Sequence, residues 1–138
     1  MKRSRLRKVS LAKTSLKKAE RLCEKAWKDA AKRRDNYTCQ ICKASGEGVV
    51  LQVDHCFSRM CKQLFYDIRN ASTLCQSCHT MKSYRVRGYE KIVDRLVLER
   101  EGADFWKFAV ETAFSKTAKK WTLQEIEDQT EKLNGMFK

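Results

Sequence analysis

Two Cys-x-x-Cys pairs, Cys39-Gln-Ile-Cys42 and Cys75-Gln-Ser-Cys78, constrain this chain more than anything else in it. Two thiolates separated by two residues converge on one ion, and four make the closed tetrahedral set of structural zinc. Such an ion draws together segments that are 32 residues apart, so the chain between them must fold back on itself. That gap is longer than a plain zinc ribbon needs, and it holds further chemistry-bearing residues. At this level His79, Cys56 or Cys61 stand as alternative ligands, and Cys23, Cys56 and Cys61 otherwise read as small buried hydrophobes. Seven cysteines cannot all pair as disulfides. The basic start, Met1-Lys-Arg-Ser-Arg-Leu-Arg-Lys, is not followed by an apolar run. Both features favour a reducing cytoplasm over secretion. No window is apolar and long enough for a bilayer, so no membrane association is expected.

The 138 residues include no proline and only five glycines, which favours helices over a loop-rich or many-stranded fold. With 42% hydrophobic and 34% charged residues, one domain with a modest core and extensions is expected. The net charge of +13 is uneven. Residues 1–36 carry 14 Lys and Arg against four Asp and Glu, whereas residues 101–138 carry six against seven. A basic arm of this kind suits a polyanionic partner.

Residues 1–13 read as mobile when unbound, with a helix from about Thr14 to a stop at Asn36. Its stripe of Leu16, Ala19, Leu22 or Cys23, Ala26 or Trp27, and Ala30 recurs at three- and four-residue steps. Trp27 reads as core packing. Val49–Val53 predicts a strand that delivers Asp54 and His55 at its end. Residues 56–71 form a loop anchored by Phe57, Leu64 and Phe65. Ser72–Leu74 predicts a second strand and Gln76 the start of a helix carrying His79 and Lys82. Three further helical stripes follow: Ile92, Val93, Leu96 and Val97 up to Gly102; Phe105, Phe108, Ala109 and Ala113; and, after the capping-box pattern Thr122-Leu-Gln-Glu125, Ile126, Leu133 and Phe137. The divisions are a basic arm and helix at 1–36, a core at 37–88 and a helical extension at 89–138. The fold class is α+β, mostly helical.

Hydrolysis of a phosphodiester needs an activated water, a cation to stabilise charge on the phosphate, and placement of both. His55 is the candidate base, because neutral imidazole accepts a proton near neutral pH. Asp54 offers a hard oxygen for Mg²⁺ or Mn²⁺. Neighbouring strand residues point to opposite faces, so this pair requires a kink at the strand end or use of both faces. Asn70 is placed to hydrogen-bond the imidazole or nearby backbone. His79 is a candidate second metal ligand, and Lys82 shares its helix face.

Arg34-Asp-Asn-Tyr-Thr-Cys-Gln-Ile-Cys42, Val53-Asp-His55, Asn70 and Leu74-Cys-Gln-Ser-Cys-His-Thr-Met-Lys82 together resemble the HNH (His-Me finger) endonuclease pattern. The resemblance implies a zinc-stapled ββα-metal core flanked by a basic N-terminal helix and C-terminal helices. It further implies His55 as general base, Asn70 orienting it, and Asp54 with His79 holding a catalytic Mg²⁺ or Mn²⁺. Cys39, Cys42, Cys75 and Cys78 would hold Zn²⁺. The layout of the basic helix, Leu64–Asn70, Tyr84-Arg85 and Trp121–Ile126 is similar to the phage NinG/Rap recombination endonucleases, which act on D-loops and Holliday junctions. That likeness implies a phage- or prophage-encoded protein of the bacterial cytoplasm acting on branched DNA.

The expected activity is therefore a DNA endonuclease. A generic nicking or restriction-type nuclease, a non-catalytic zinc-finger DNA-binding protein and a zinc-stabilised adaptor are the alternatives. Arg59, Lys62, Arg69, Lys82, Arg85 and Arg87 are candidates to grip backbone phosphates. Symmetric cutting of two strands would call for a homodimer, and the stripe from Leu16 to Ala30 serves equally as its surface or as packing within one chain.

Overall fold

A computed structural model describes residues 2–115 and 118–138, with side chains from residue 15 onward. Its spine is helix α1, Lys2–Arg34, which starts well before the expected Thr14. Residues 2–34 are rich in Lys, Arg, Leu and Ala and contain neither glycine nor proline, which favours helix through this whole segment. The helix stops where Asn36 and Tyr37 turn to φ 52°, a left-handed bend that asparagine tolerates well. Ala19, Cys23, Ala26, Trp27, Ala30 and Ala31 are buried along one face, while Leu22 is exposed. That face packs on the other elements of the same chain, together with Ile126, Leu133, Phe65 and Tyr66. The stripe is therefore consumed within the chain, not offered to a second copy.

Strands β1 (Leu51–His55) and β2 (Ala71–Cys75) form an antiparallel ribbon with Val53 opposite Thr73 and His55 opposite Ala71. Strand β1 lies two residues later than the expected Val49–Val53, so Asp54 and His55 are its own last two residues. Strand β2 runs directly into helix α2, Gln76–Ser83. Two 3-10 turns, Lys62–Leu64 and Ile68–Asn70, shape the connection between the strands.

Helices α3 (Tyr89–Glu101), α4 (Ala103–Phe114) and α5 (Leu123–Asn134) complete the chain. Gly102, at φ 91°, makes the break between α3 and α4. The capping box of Thr122 and Glu125 is formed as its sequence pattern implies. Val93, Val97, Phe105, Ala109, Ile126 and Leu133 face inward, whereas Ile92, Phe108, Ala113 and Phe137 are exposed, so each apolar stripe is narrower than expected.

Arginines tie the layers together. Arg33 donates to the carbonyls of Leu133 and Met136, which satisfies the C-terminal end of α5. Arg34 grips Asp35 through two nitrogens and also donates to the carbonyls of Ile68 and Ala71. Asp35 in turn accepts the Thr73 amide at 3.0 Å, and Arg100 reaches the carbonyls of Arg69 and Ala71 from the other side. The start of β2 is thus held by three charged side chains. No helix among the described residues is long and apolar enough to cross a membrane.

Candidate active site

Cys39 and Cys42 sit on a tight turn in which the Cys39 amide donates to Ala44 O and the Lys43 amide returns to Cys39 O, each at 2.9 Å. Lys43 takes φ 65° to close it. Cys75 ends β2 and caps α2, its sulfur accepting the Cys78 amide at 3.5 Å. The ligand atoms of Cys39, Cys42, Cys75 and Cys78 lie within 4.8 Å of one another. Four sulfurs at about 2.3 Å from a tetrahedral ion would stand about 3.8 Å apart, and Cys42 and Cys75 are separated by 3.6 Å. The cradle fits zinc. Cys56, Cys61 and His79 lie outside this group, which closes the alternative ligand assignments. At Cys39, burial opposes ionisation, but the backbone amides of Cys42, Cys75 and Ile41 prevail and bring the thiol down to about 7. Burial and the neighbouring sulfurs push the Cys78 thiol up. A bound cation would reverse that rise, since a coordinating thiol is deprotonated.

Asp54 and His55 use both faces of the ribbon, as strand alternation demands. His55 turns towards α1. Its ring lies 4.1 Å from that of Trp27 with planes 16° apart, and Phe65 closes in at 4.7 Å. His55 Nε2 is 3.0 Å from Phe65 O. A carbonyl can only accept, so Nε2 carries the proton and Nδ1 keeps the free lone pair. Burial lowers the imidazole pKa to about 4, against the pull of the Phe65 carbonyl, so the ring is neutral at physiological pH.

Asp54 turns towards α2. Its Oδ2 accepts from Lys82 Nζ at 2.5 Å, and its Oδ1 faces His79 Nε2 at 3.6 Å. Lys82 also donates to the His55 carbonyl at 3.0 Å. Burial raises the Asp54 pKa in spite of the Lys82 ammonium beside it. Lys82 is therefore engaged with the carboxylate here, and its expected phosphate would have to compete with Asp54.

Asn70 is fully buried and its side-chain hydrogen bonds go to backbone groups, not to the imidazole. Its Oδ1 accepts the Phe57 amide at 2.7 Å, and its Nδ2 donates to the Leu64 carbonyl at 3.1 Å. It holds the loop whose next carbonyl, that of Phe65, fixes His55. Trp27 supports the same loop from outside by donating its indole N–H to Asp67 O at 2.9 Å. Sequence periodicity identified Trp27 as core, which it is. Its second task as the backing of an imidazole leaves no periodic signal.

His55, Asp54 and His79 share one cleft of about 650 Å³, which Lys28 and Lys32 of α1 and Arg59 also line. The first two were not singled out in the sequence, where they are ordinary members of a long basic face. Their only mark is a four-residue spacing one step past Trp27. Arg59 approaches Glu24 at 3.4 Å at the rim. Lys62 lies over the Phe65 ring at 4.7 Å, in a neighbouring groove. Arg69 is held by Asp67 and stacks on Phe105 at 4.4 Å, lining a different hollow with Arg34 and Arg100. Arg85 and Arg87 are exposed beyond α2.

Residues 39–85 match the family model of HNH endonucleases. The segment spans the zinc cradle, both strands and α2, so the match and the ββα geometry cover the same unit. It supports the HNH family and, with it, nuclease activity on DNA. Comparison with curated proteins and with solved structures returned no match.

Proposed function

We propose that this protein is a divalent-metal-dependent DNA endonuclease in which His55 is the general base. The observation that carries the reading is the pairing of a neutral, tautomer-fixed imidazole with an Asp54–His79 oxygen–nitrogen pair in a single cleft. Through Nδ1, His55 takes the proton of an attacking water. Asp54 Oδ1 and His79 Nε2 would hold Mg²⁺ or Mn²⁺, a donor set such ions accept. The ion would supply a positive charge for the phosphate and the leaving oxygen. Asn70 keeps the His55 support in place through the loop. Lys28, Lys32 and Arg59 bring phosphate into the cleft.

Within this reading, residues 1–36 act as a DNA-gripping arm and helix, 37–88 as the nuclease core and 89–138 as its helical support. We extend the proposal to branched recombination or replication DNA, by likeness to NinG/Rap, in a phage or prophage setting in a bacterial cytoplasm. Symmetric cutting of both strands would take two copies. The test is cleavage of linear, flapped, forked and four-way DNA by zinc-loaded protein with Mg²⁺ or Mn²⁺, alongside His55→Ala. Cleavage lost with DNA binding retained supports the enzyme. DNA bound but never cut, with His55→Ala indistinguishable from the parent, leaves only a zinc-stapled DNA-binding protein.

A further inference from the structure

A second groove, of about 670 Å³, continues from the catalytic cleft along α1, with Glu24 lining both. On α1, Lys17 and Arg21 line this groove while Lys28 and Lys32 line the cleft. Steps of four, seven and four residues place all four on one helix face. From Lys17 to Lys32 the face runs about 22 Å, at 1.5 Å per residue. That length matches about six phosphates of a stacked strand at 3.4 Å each. Lys62 lines the groove as well, as do Lys119 and Lys120, which lie outside the part of the chain that matches the nuclease family.

The floor is aromatic. Phe65, Tyr66 and Trp121 line it, with Tyr66 and Trp121 edge to face at 5.3 Å. Trp121 is fixed by its indole N–H, which donates to Lys62 O at 2.7 Å. Among the described residues Lys17, Arg21 and Lys120 are exposed and make no ion pair, whereas Lys119 is paired with Glu125. Among the described residues Glu20 is a lining acid without an ion pair, and Glu24 is shared with Lys28 and Arg59.

We infer that this groove binds an unpaired stretch of one DNA strand leading to or from the scissile phosphate. The inference rests on the nuclease reading and names where one unpaired strand of its substrate lies. At about 670 Å³ the groove itself has room for one or two nucleotides, within the range of small-molecule sites, and the rest of the strand follows the face of α1 to the cleft. Basic walls that follow a backbone over an aromatic floor are how single strands are held without regard to sequence. A duplex end reaching the cleft would have to open to lay one strand here, which favours forks, flaps and junctions over uninterrupted duplex.

The experiment measures binding of short oligothymidylate, a hairpin duplex and polyglutamate to zinc-loaded protein, without Mg²⁺ or Mn²⁺, by tryptophan fluorescence and its salt dependence. Trp121→Phe identifies the reporting ring. The expected result is quenching by oligothymidylate that Trp121→Phe removes. In Lys17→Glu/Lys120→Glu, affinity for oligothymidylate falls at least tenfold. The salt slope falls by about 1.4, roughly 0.7 per lost phosphate contact. Duplex affinity falls by a smaller factor. Both positions are exposed and unpaired, so the variant should fold; if it does not, Lys120→Glu alone carries the test at about half the slope change. Equal loss for duplex and single strand, unchanged binding, or polyglutamate competing as well as oligothymidylate would each overturn the inference. The assay needs no cleavage, so a protein that takes the oligonucleotide but cuts nothing refutes the nuclease reading and leaves the groove standing.

Discussion

Trp27 lies flat against His55, ring centres 4.1 Å apart, and its indole nitrogen simultaneously holds the Asp67 carbonyl. One side chain from α1 therefore sets both the face of the imidazole and the loop that fixes its tautomer. Trp27→Ala should cost about 3–5 kcal/mol, the usual range for emptying a buried tryptophan site. Trp27→Phe keeps a stacking ring but gives up the indole hydrogen bond. Its melting temperature should fall by only a few degrees, whereas kcat for DNA cleavage should fall at least tenfold with KM little changed. Denaturation curves and steady-state cleavage read the two effects separately, and a Trp27→Phe protein with full kcat would remove the base-positioning role.

The buried imidazole makes stability depend on pH in a definite direction. Folding lowers the His55 pKa from about 6.5 to about 4, so the unfolded chain binds the proton more readily. Above about 6.5 the residue has no effect. As pH falls from there to about 4, stability is lost progressively, by at most about 3 kcal/mol at 1.36 kcal/mol per unit. Asp35, lowered although burial opposes it because Arg34 and the Thr73 amide prevail, acts in a separate window. Its contribution is full above its unfolded pKa near 3.8 and fades only below that. Asp54, raised by burial, acts with the opposite sign. Chemical denaturation from pH 8 to 4 should show the loss in the parent and a flatter profile in His55→Asn. Parallel profiles for the two proteins would refute the assignment.

Lys82 matters first as the partner of a buried carboxylate. Lys82→Met leaves Asp54 buried without its cation, and breaking a buried pair of this kind costs about 3–5 kcal/mol. Because Asp54 Oδ1 and His79 still face each other, added Mn²⁺ should recover part of the loss by binding the folded state. Melting temperatures with and without Mn²⁺ test this. If Lys82→Met melts like the parent but binds DNA less tightly, phosphate is the true partner of this lysine.

The zinc cradle should control the site from behind. Cys75→Ser removes one ligand and weakens the cap of α2, so it should release the metal and lower helix content around α2. One zinc per chain by elemental analysis, lost together with cleavage in Cys75→Ser, is the expected result. Full activity in a zinc-free preparation would show that the cradle is dispensable.

The cysteine pairs, the capping box of Thr122 and Glu125, the Gly102 break and the strand–strand–helix order were all legible from the chain, because each depends on neighbours within a few residues. The destination of α1 was not. Its stripe shows that one face is buried, but which partner buries it depends on residues a hundred positions away, such as Leu133 and Met136 meeting Arg33. The same holds for Asn70: its identity allowed a bond to the imidazole or to nearby backbone, and only the fold shows that it takes the loop backbone. Lys28 and Lys32 become cleft residues only because α1 passes beside β1.

That passage has a consequence for modularity. The family-matching segment begins at Cys39, yet the ring that backs His55 and the arginine that anchors β2 both come from before it. The unit that recurs across proteins is thus smaller than the unit that works in this one. A graft of residues 39–85 onto another scaffold would carry the four cysteines, Asp54, His55 and His79 but not the ring His55 leans on, and its new host would have to supply that wall.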